Sequence, residues 1–227
     1  RDFVVGVHAG RWDYLFSFIK TLRSRPDAVL GDRAGLTATE PFVAAYMRRL
    51  VDSAHRRGVH AIGGNGTFVP MEVDAEADRT ARARVRQEKV REVTLGFDGT
   101  WVAHPGLVGV AREAFEEHLP HPNQLYRVFK DSRVTPADLL EVAAPVVSRD
   151  GVRSNIRAAV RYLAAWLAGE GSVVIDHQLE HIGTAEIARS QLWQWLHRNT
   201  SLADGGMLTP ALFDELLAEE TAAAASG

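Results

Sequence analysis

The sequence predicts an α/β fold, with about three strand–loop–helix units of a parallel sheet followed by an all-α region. Three short segments are typical of strands: residues 3–7, a β-branched run of the kind found in buried strands, and residues 60–62 and 100–103. Each is followed by a loop and then by a helical pattern, the order found where helices cover a parallel sheet. Beyond residue 120 the periodicity is almost entirely helical. We therefore expect one domain at residues 1–120 and a second at residues 121–227.

Helical patterns follow the predicted strands of the first half. The first helix carries apolar side chains at i, i+3, i+4 and i+7: Leu15, Phe18, Ile19 and Leu22. Pro41 is expected to begin the second helix and Gly58 to end it. Residues 76–92 are rich in charge and predict a solvent-exposed helix. In such folds the loops after the strands carry the chemistry.

Helical signals dominate the second half. Thr135-Pro136 is expected to begin a helix, with threonine as N-cap and proline at the first helical position. Apolar stripes cover residues 152–167 and 185–195, and Pro210 opens a last helix. Residues 173–175 are the only segment with an extended pattern.

The composition argues against several classes of protein. Hydrophobic residues make up 46% and charged residues 24%, which is ordinary for a globular protein. The formal net charge of −3 argues against a nucleic-acid partner, which would require a basic surface. No apolar run reaches the roughly 18–20 residues that span a bilayer, and no leader is present, so we expect a cytoplasmic protein without a membrane partner. The absence of cysteine excludes disulfides, thiolate metal sites and cysteine nucleophiles.

The first candidate motif, Gly10-Arg11-Trp12-Asp13, follows the first predicted strand. Glycine lets the chain turn sharply and lets backbone N–H groups approach a ligand. Two interpretations of Asp13 are open. It is either a carboxylate ligand of Mg²⁺, which prefers oxygen donors, or the N-cap of the following helix.

The second candidate motif is the glycine-rich segment Gly63-Gly64-Asn65-Gly66, which is closed by Pro70. It is consistent with a backbone that closely approaches a carbonyl or phosphate group, and equally with an ordinary flexible turn. Neither a Walker lysine nor the dinucleotide-binding spacing is present.

The third candidate motif, His177-Gln178-Leu179-Glu180-His181, matches the inverted zinc-protease pattern. Two histidines at i and i+4 on a helix could bind Zn²⁺, with Glu180 as general base. The third ligand would come from the remaining stretch: Glu186, Asp204 or Asp214. A match of five residues often arises by chance, so a zinc hydrolase is the least favoured hypothesis.

Taken together and in order, four stretches of the chain resemble the malate synthases. They are Gly10 to Lys20, Ile62-Gly63-Gly64 with Pro70, Asp98 to Leu107, and Thr184 to Arg189 with Trp193-Gln194-Trp195. The resemblance is collinear over nearly the whole chain. It implies the last strands of a TIM-type (β/α) barrel followed by a helical C-terminal domain that caps the barrel. Because Arg1 lies within a strand pattern and no initiator methionine precedes it, we expect the N-terminal half of the barrel to be missing and to be supplied in cis.

The resemblance also implies an activity. Malate synthases condense acetyl-CoA with glyoxylate and hydrolyse the intermediate to malate and CoA, using Mg²⁺. Asp13 would be one of two metal carboxylates, and Gly10, Arg11, Trp12 and Asp13 would bind glyoxylate. Pro70 would line the acetyl-CoA site. The second carboxylate and a catalytic arginine would lie upstream of Arg1.

One position departs from the family pattern. The family base is the Asp of a Met-Glu-Asp triplet, which removes a methyl proton from acetyl-CoA, and the aligned triplet here is Leu179-Glu180-His181. A neutral imidazole can accept a proton, but its nitrogens lie elsewhere than carboxylate oxygens, and a misplacement of about 1 Å can cost about 10²-fold in rate. Two hypotheses therefore lead: a malate synthase with reduced activity, and a pseudoenzyme that binds acyl-CoA or metal without turnover.

Overall fold

In the computed structural model, which describes residues 2–70, 75–129 and 133–225, the chain divides into two compact units. The first unit consists of Arg1–Arg11, Phe42–Leu139 and Asp176–Leu179, and the second of Trp12–Pro41, Leu140–Ile175 and Glu180–Gly227. Both units are therefore assembled from segments that are distant in the sequence. Within the described part of the chain, no helix has the length and apolar character needed to cross a membrane.

A three-stranded parallel sheet forms the centre of the first unit. Its strands lie in the order β1 (Gly6–His8), β2 (His60–Gly66) and β3 (Gly99–Val102), with β2 in the middle. The connecting helices are α1 (Arg11–Leu22), α2 (Pro41–His55) and α3 (Ala75–Leu95), and α4 (Val108–His118) follows β3. The predicted parallel arrangement of strand–loop–helix units is confirmed. Gly58, at φ +65°, ends the turn after α2, as expected from its conformational freedom.

The first strand is shorter and more exposed than the sequence predicted. Residues 3–5 precede β1, and Phe3 and Val5 are 99% and 79% exposed. A buried strand was expected here. Among the described strands, β1 lies at the edge of the sheet and pairs only with β2, so its apolar side chains gain little burial.

The second strand is longer than predicted, because it continues through the glycine-rich segment to Gly66. The pairing with β3 is irregular between Ile62 and Asn65. The segment is therefore not a flexible turn. A side chain on Gly63 would collide with Glu92 of α3, which explains a glycine inside a strand at this point.

The second unit is built mainly from helices. Helix α5 (Arg149–Leu167) packs against α6 (Ile182–His197) and α7 (Pro210–Ala225). Their shared core consists of buried apolar side chains: Val29, Val147, Val152, Ile156, Leu192, Trp195, Leu202, Leu208 and Leu216. The helices predicted at residues 152–167 and 185–195 are confirmed, but the α5 stripe is buried only in its first part, since Leu163 and Leu167 are 53% and 74% exposed.

Two details of the second half differ from expectation. Thr135 does not begin an α-helix: its side chain bonds to Asp138, but only a short 3₁₀ turn at Asp138–Leu140 follows. The region is also not entirely helical, since β4 (Ser172–Ile175) pairs with β5 (Gln178–His181) in a two-stranded sheet. The extended pattern of residues 173–175 predicted the first of these strands only.

Candidate functional site

The end of β1 leads directly into α1. The amide of Ala9 still pairs with Ile62 of β2, at 2.9 Å, and Gly10 immediately precedes the helix. Asp13 is consequently the third residue of α1 and is exposed, so the expectation that it is the N-cap is wrong. Its carboxylate lies in the first helical turn, where the helix dipole stabilises negative charge.

Arg11 connects this junction to α3. Its guanidinium donates to Glu88 at 3.0 Å, and both side chains are largely buried. Glu88 in turn lies beside β2, because its Oε2 is 3.1 Å from the place that a Cβ on Gly66 would occupy. The first and second candidate motifs are therefore tied to the same helix.

A buried charged cluster supports the glycine-rich part of β2. The ammonium of Lys89 donates to the Gly64 carbonyl at 2.8 Å and to Glu92 at 3.1 Å, and the Thr100 hydroxyl donates to Glu92 at 2.6 Å. Lys89 and Glu92 are 0% and 3% exposed, which corrects the expectation that this helix is solvated all round. Burial raises the pKa of Glu92 to about 7, although Lys89 and Thr100 oppose the shift.

Pro70 lies near the turn that follows β3. Its Cγ is 3.5 Å from the place that a Cβ on Gly106 would occupy, and the Gly106 amide donates to Nδ1 of His104 at 3.1 Å. Pro70 also follows residues 67–69, which pair with residues 177–179 through main-chain bonds. The structure thus places the predicted acetyl-CoA residue beside the stretch Asp98 to Leu107 and next to a segment paired with the third candidate motif.

The third motif does not lie on one helix face. Asp176 and His177 form the turn between β4 and β5 with positive φ values of 48° and 61°, a geometry typical of a tight hairpin turn. Residues 178–181 are the strand β5, and α6 begins only at Ile182. The i, i+4 argument for zinc therefore has no basis here. The described residues contain no cluster of three side chains suited to hold a metal ion.

His181 occupies the N-cap position of α6. Its Nδ1 accepts the amide of Gly183 at 3.1 Å, while its own amide donates to the Thr184 hydroxyl at 2.9 Å. Such reciprocal bonds are a capping box, and they satisfy amides that have no partner inside the helix.

A buried ion pair between Arg33 and Glu180 adjoins this cap. Arg33 donates to both carboxylate oxygens of Glu180, at 2.7 and 2.5 Å, and more weakly to the Thr184 carbonyl at 3.4 Å. The side chains of Arg33 and Glu180 are only 10% and 3% exposed. A bidentate pair of this kind fixes orientation as well as charge.

The helices that carry Asp13 and His181 adjoin within the second unit. Beyond the end of α1, the Arg23 carbonyl accepts a bond from Arg198 at 2.6 Å, just after α6. The ion pair with Arg189 lowers the pKa of Glu186 on α6, and Lys20 of α1 adds to this effect.

The sequence did not indicate the roles of Arg33, Lys89 and Glu92. The pairing of Arg33 with Glu180 spans 147 positions, which no local pattern reveals. The capping role of Thr184 had no sequence signal either, since the usual capping box has Ser or Thr at the N-cap and Glu or Gln three residues later.

Comparisons with known proteins bear on both halves of the chain. A family model described as malate synthase, TIM barrel domain, matches residues 1–142, and a second, described as malate synthase, C-terminal, matches residues 146–227. The chain belongs to the malate synthase family. This membership confirms the predicted fold class, a part of a TIM barrel followed by a helical C-terminal domain.

Curated relatives in the malate synthase family cover nearly the whole chain. Malate synthase of Myxococcus xanthus is 46% identical over 220 residues, 97% of this chain and 41% of that protein. The glyoxysomal malate synthase of Zea mays is 44% identical over 98% of this chain and 41% of that protein. Malate synthase A of Escherichia coli is 41% identical over 100% of this chain and 43% of that protein. The chain thus spans about two fifths of the length of these relatives.

Proposed function

We propose that this chain supplies the C-terminal barrel strands and the capping domain of a malate synthase, which condenses acetyl-CoA with glyoxylate and releases malate and CoA. The observation that carries the proposal is identity of 41–46% over 97–100% of the chain to three proteins of that name. The activity belongs to a polypeptide in which this segment is joined to the remaining barrel strands. Within it, residues 1–120 carry the substrate loops and residues 121–227 carry the cap.

The residues at the end of β1 fit a magnesium site in their donor chemistry. Asp13 offers an exposed carboxylate in the first turn of α1, and Mg²⁺ in enzymes is commonly held by one or two carboxylates together with water and substrate. When bound, the ion would polarise the aldehyde carbonyl of glyoxylate. The backbone from Gly10 to Asp13 would bind glyoxylate itself, with Arg11 anchored to Glu88.

Acetyl-CoA would lie against Pro70, and His181 would stand at the position of the family base. The first assignment is supported by the packing of Pro70 beside the turn after β3, where barrel enzymes place catalytic loops. The second is supported by the place of His181 at the N-terminus of α6, directly after Glu180.

The test is a chimera in which this chain replaces the segment that it matches in the Myxococcus xanthus protein. We expect glyoxylate-dependent release of CoA from acetyl-CoA, requiring Mg²⁺. Asp13→Asn should lower kcat/KM on the order of 10²-fold, because polarisation of a carbonyl by a metal is worth several kcal/mol. Asp150→Asn is the matched control, since Asp150 is also an exposed carboxylate in a helical first turn, that of α5.

A chimera that folds and binds acetyl-CoA but forms no malate would contradict the proposal. That outcome is the second candidate, an acyl-CoA-binding pseudoenzyme. One observation favours it: Nδ1 of His181 is already engaged by the Gly183 amide. Calorimetry with acetyl-CoA, run beside the CoA-release assay, separates binding from turnover.

A further inference from the structure

We infer that Arg33 is a positioning residue for His181, and that the ring it positions offers an N–H donor at Nε2 in place of a proton-accepting nitrogen. The catalytic meaning of this inference rests on the proposed function, but its structural content does not. It concerns four described residues of the second unit in addition to Arg33: Glu180, His181, Gly183 and Thr184.

The tautomer of His181 follows from its hydrogen bond. A backbone N–H can donate only to a ring nitrogen that carries a lone pair, and the Gly183 amide lies 3.1 Å from Nδ1. In the neutral ring the hydrogen is therefore on Nε2. Within the described part of the chain, no hydrogen bond engages Nε2.

The ring is held closely against the start of α6. A Cβ on Gly183 would lie 2.9 Å from Cε1 and 3.2 Å from Nδ1 of His181, so the imidazole occupies space that any other residue at 183 would fill. Thr184 holds the backbone of the same residue, because its hydroxyl donates to the His181 carbonyl at 3.0 Å and accepts the His181 amide.

Arg33 secures the residues on both sides of His181. It donates two hydrogen bonds to the Glu180 carboxylate and a third to the Thr184 carbonyl. Because Arg33 and Glu180 are buried, this clamp is shielded from water and resists rearrangement more than a surface pair would. The residue before His181 and the residue that completes its cap thus share one anchor.

The chemical consequence concerns the removal of a methyl proton from acetyl-CoA. To take a methyl proton, His181 would have to break the Gly183 bond and use Nδ1. In the observed arrangement its Nε2–H can instead donate a hydrogen bond to an oxygen, such as the carbonyl oxygen of an acyl thioester. At the position where the family has a carboxylate base, this chain therefore has a hydrogen-bond donor, the Nε2–H of His181.

Long-range ¹H–¹⁵N NMR of the ¹⁵N-labelled chain tests the tautomer at about pH 8, where an ordinary imidazole is neutral. We expect the His181 ring to show a bare Nδ1 and a protonated Nε2, with the signal identified by its loss in His181→Asn. His104 is an internal reference, since its Nδ1 accepts the Gly106 amide in the same way but the residue is exposed. A protonated Nδ1, or an average of the two tautomers, at His181 would overturn the inference.

Variants of the clamp test the positioning role. Arg33→Met should shift the His181 signals toward tautomer averaging and leave those of His104 unchanged, and Arg33→Lys should restore them in part. Arg189→Met is the matched control, because Arg189 also pairs with a glutamate, Glu186 of α6, but is 61% exposed. If Arg33→Met unfolds the chain, Gly183→Ala provides the second route, since it displaces the ring without removing a charge. His181 signals that stay unchanged in both Arg33→Lys and Gly183→Ala would refute the clamp.

The chimera tests the consequence for rate. Asn and Asp are both good N-caps, so His181→Asn and His181→Asp differ mainly in basicity. If His181 is a donor, His181→Asn should lower kcat by no more than about tenfold, because the asparagine amide also offers an N–H and a hydrogen bond is worth about 1 kcal/mol, and His181→Asp should raise kcat. If His181 is a base, His181→Asn should lose about 10²–10⁴-fold, which would contradict the inference. An inactive chimera whose His181 has the expected tautomer would refute the proposed function and leave the ring assignment standing.

Discussion

Replacing Lys89 with methionine should destabilise the first unit in a pH-dependent way. Lys89 and Glu92 form a buried ion pair within α3, and Lys89 also donates to the Gly64 carbonyl of β2. Methionine is similar in volume and removes only the charge and the bonds. The variant therefore leaves Glu92 buried beside the Thr100 hydroxyl without its cation.

The magnitude follows from the titration of Glu92. Burial raises its pKa from 4.5 to about 7, against the opposing effects of Lys89 and Thr100, a shift equivalent to about 3 kcal/mol. Since the folded pKa lies above the unfolded one, the contribution of Glu92 to stability is fully present below about pH 4.5 and is lost as the pH rises through about 7. Lys89→Met removes the cation that opposes this shift, so the pKa of Glu92 should rise further; at about pH 8 the folded variant must either protonate Glu92 or keep an uncompensated buried carboxylate, and we expect a cost of about 3–5 kcal/mol. At about pH 5.5 that carboxylate is largely protonated, so the cost should fall to about 1 kcal/mol, the value of a lost hydrogen bond.

Urea unfolding combined with hydrogen-exchange mass spectrometry of peptides from β2 and α3 measures both values. The double variant Lys89→Met with Glu92→Leu should recover most of the loss, because an apolar pair can replace a buried ion pair. Arg86→Met is the control, since the ion pair of Arg86 with Glu117 is exposed and should contribute less than about 1 kcal/mol. An equal cost at the two pH values, or no recovery in the double variant, would show that the cluster does not act as a buried ion pair.

Two further predictions concern the same unit. The ring nitrogens of buried His55 lie 2.8 Å from the Arg127 carbonyl and 3.0 Å from Asp98; burial lowers the pKa of His55, but these hydrogen bonds raise it overall. The stability that these bonds provide is present below about pH 6.5 and is lost as the pH rises through the folded pKa. His55→Gln should therefore cost about 2–3 kcal/mol at pH 6 and less at pH 9, measured by urea unfolding. A cost that does not change with pH would contradict this. A Cβ on Gly63 would lie 2.1 Å from the held Glu92 carboxylate, so Gly63→Ala should cost about 1–3 kcal/mol in the same assay, whereas Gly171→Ala, with open space around it, should stay within about 0.5 kcal/mol. Equal stability of the two alanine variants would show that Glu92 moves freely.

Local patterns predicted the helices of the second half. Helices α5 and α6 follow from apolar residues at helical spacing, which selects one face whatever the partner. The same logic failed for α3: its charges predicted exposure, but Lys89 and Glu92 are buried because they neutralise each other under glycines of β2. Thr135 shows the opposite failure, since a correct cap signal is followed by only one 3₁₀ turn.

By itself, the sequence determined the parallel strand–loop–helix order, the helical character of the second half and membership of the malate synthase family. The first two depend on spacing and composition, which a linear chain displays directly, and the third on four motifs that resemble the family in the same order. Only the tertiary structure decided that Arg33 clamps Glu180 across 147 positions, that the His177 motif is a hairpin turn, and that Nδ1 of His181 caps a helix. The physical reason is that a tautomer and a buried ion pair depend on tertiary contacts between groups that are distant in the sequence, and sequence spacing does not specify those contacts.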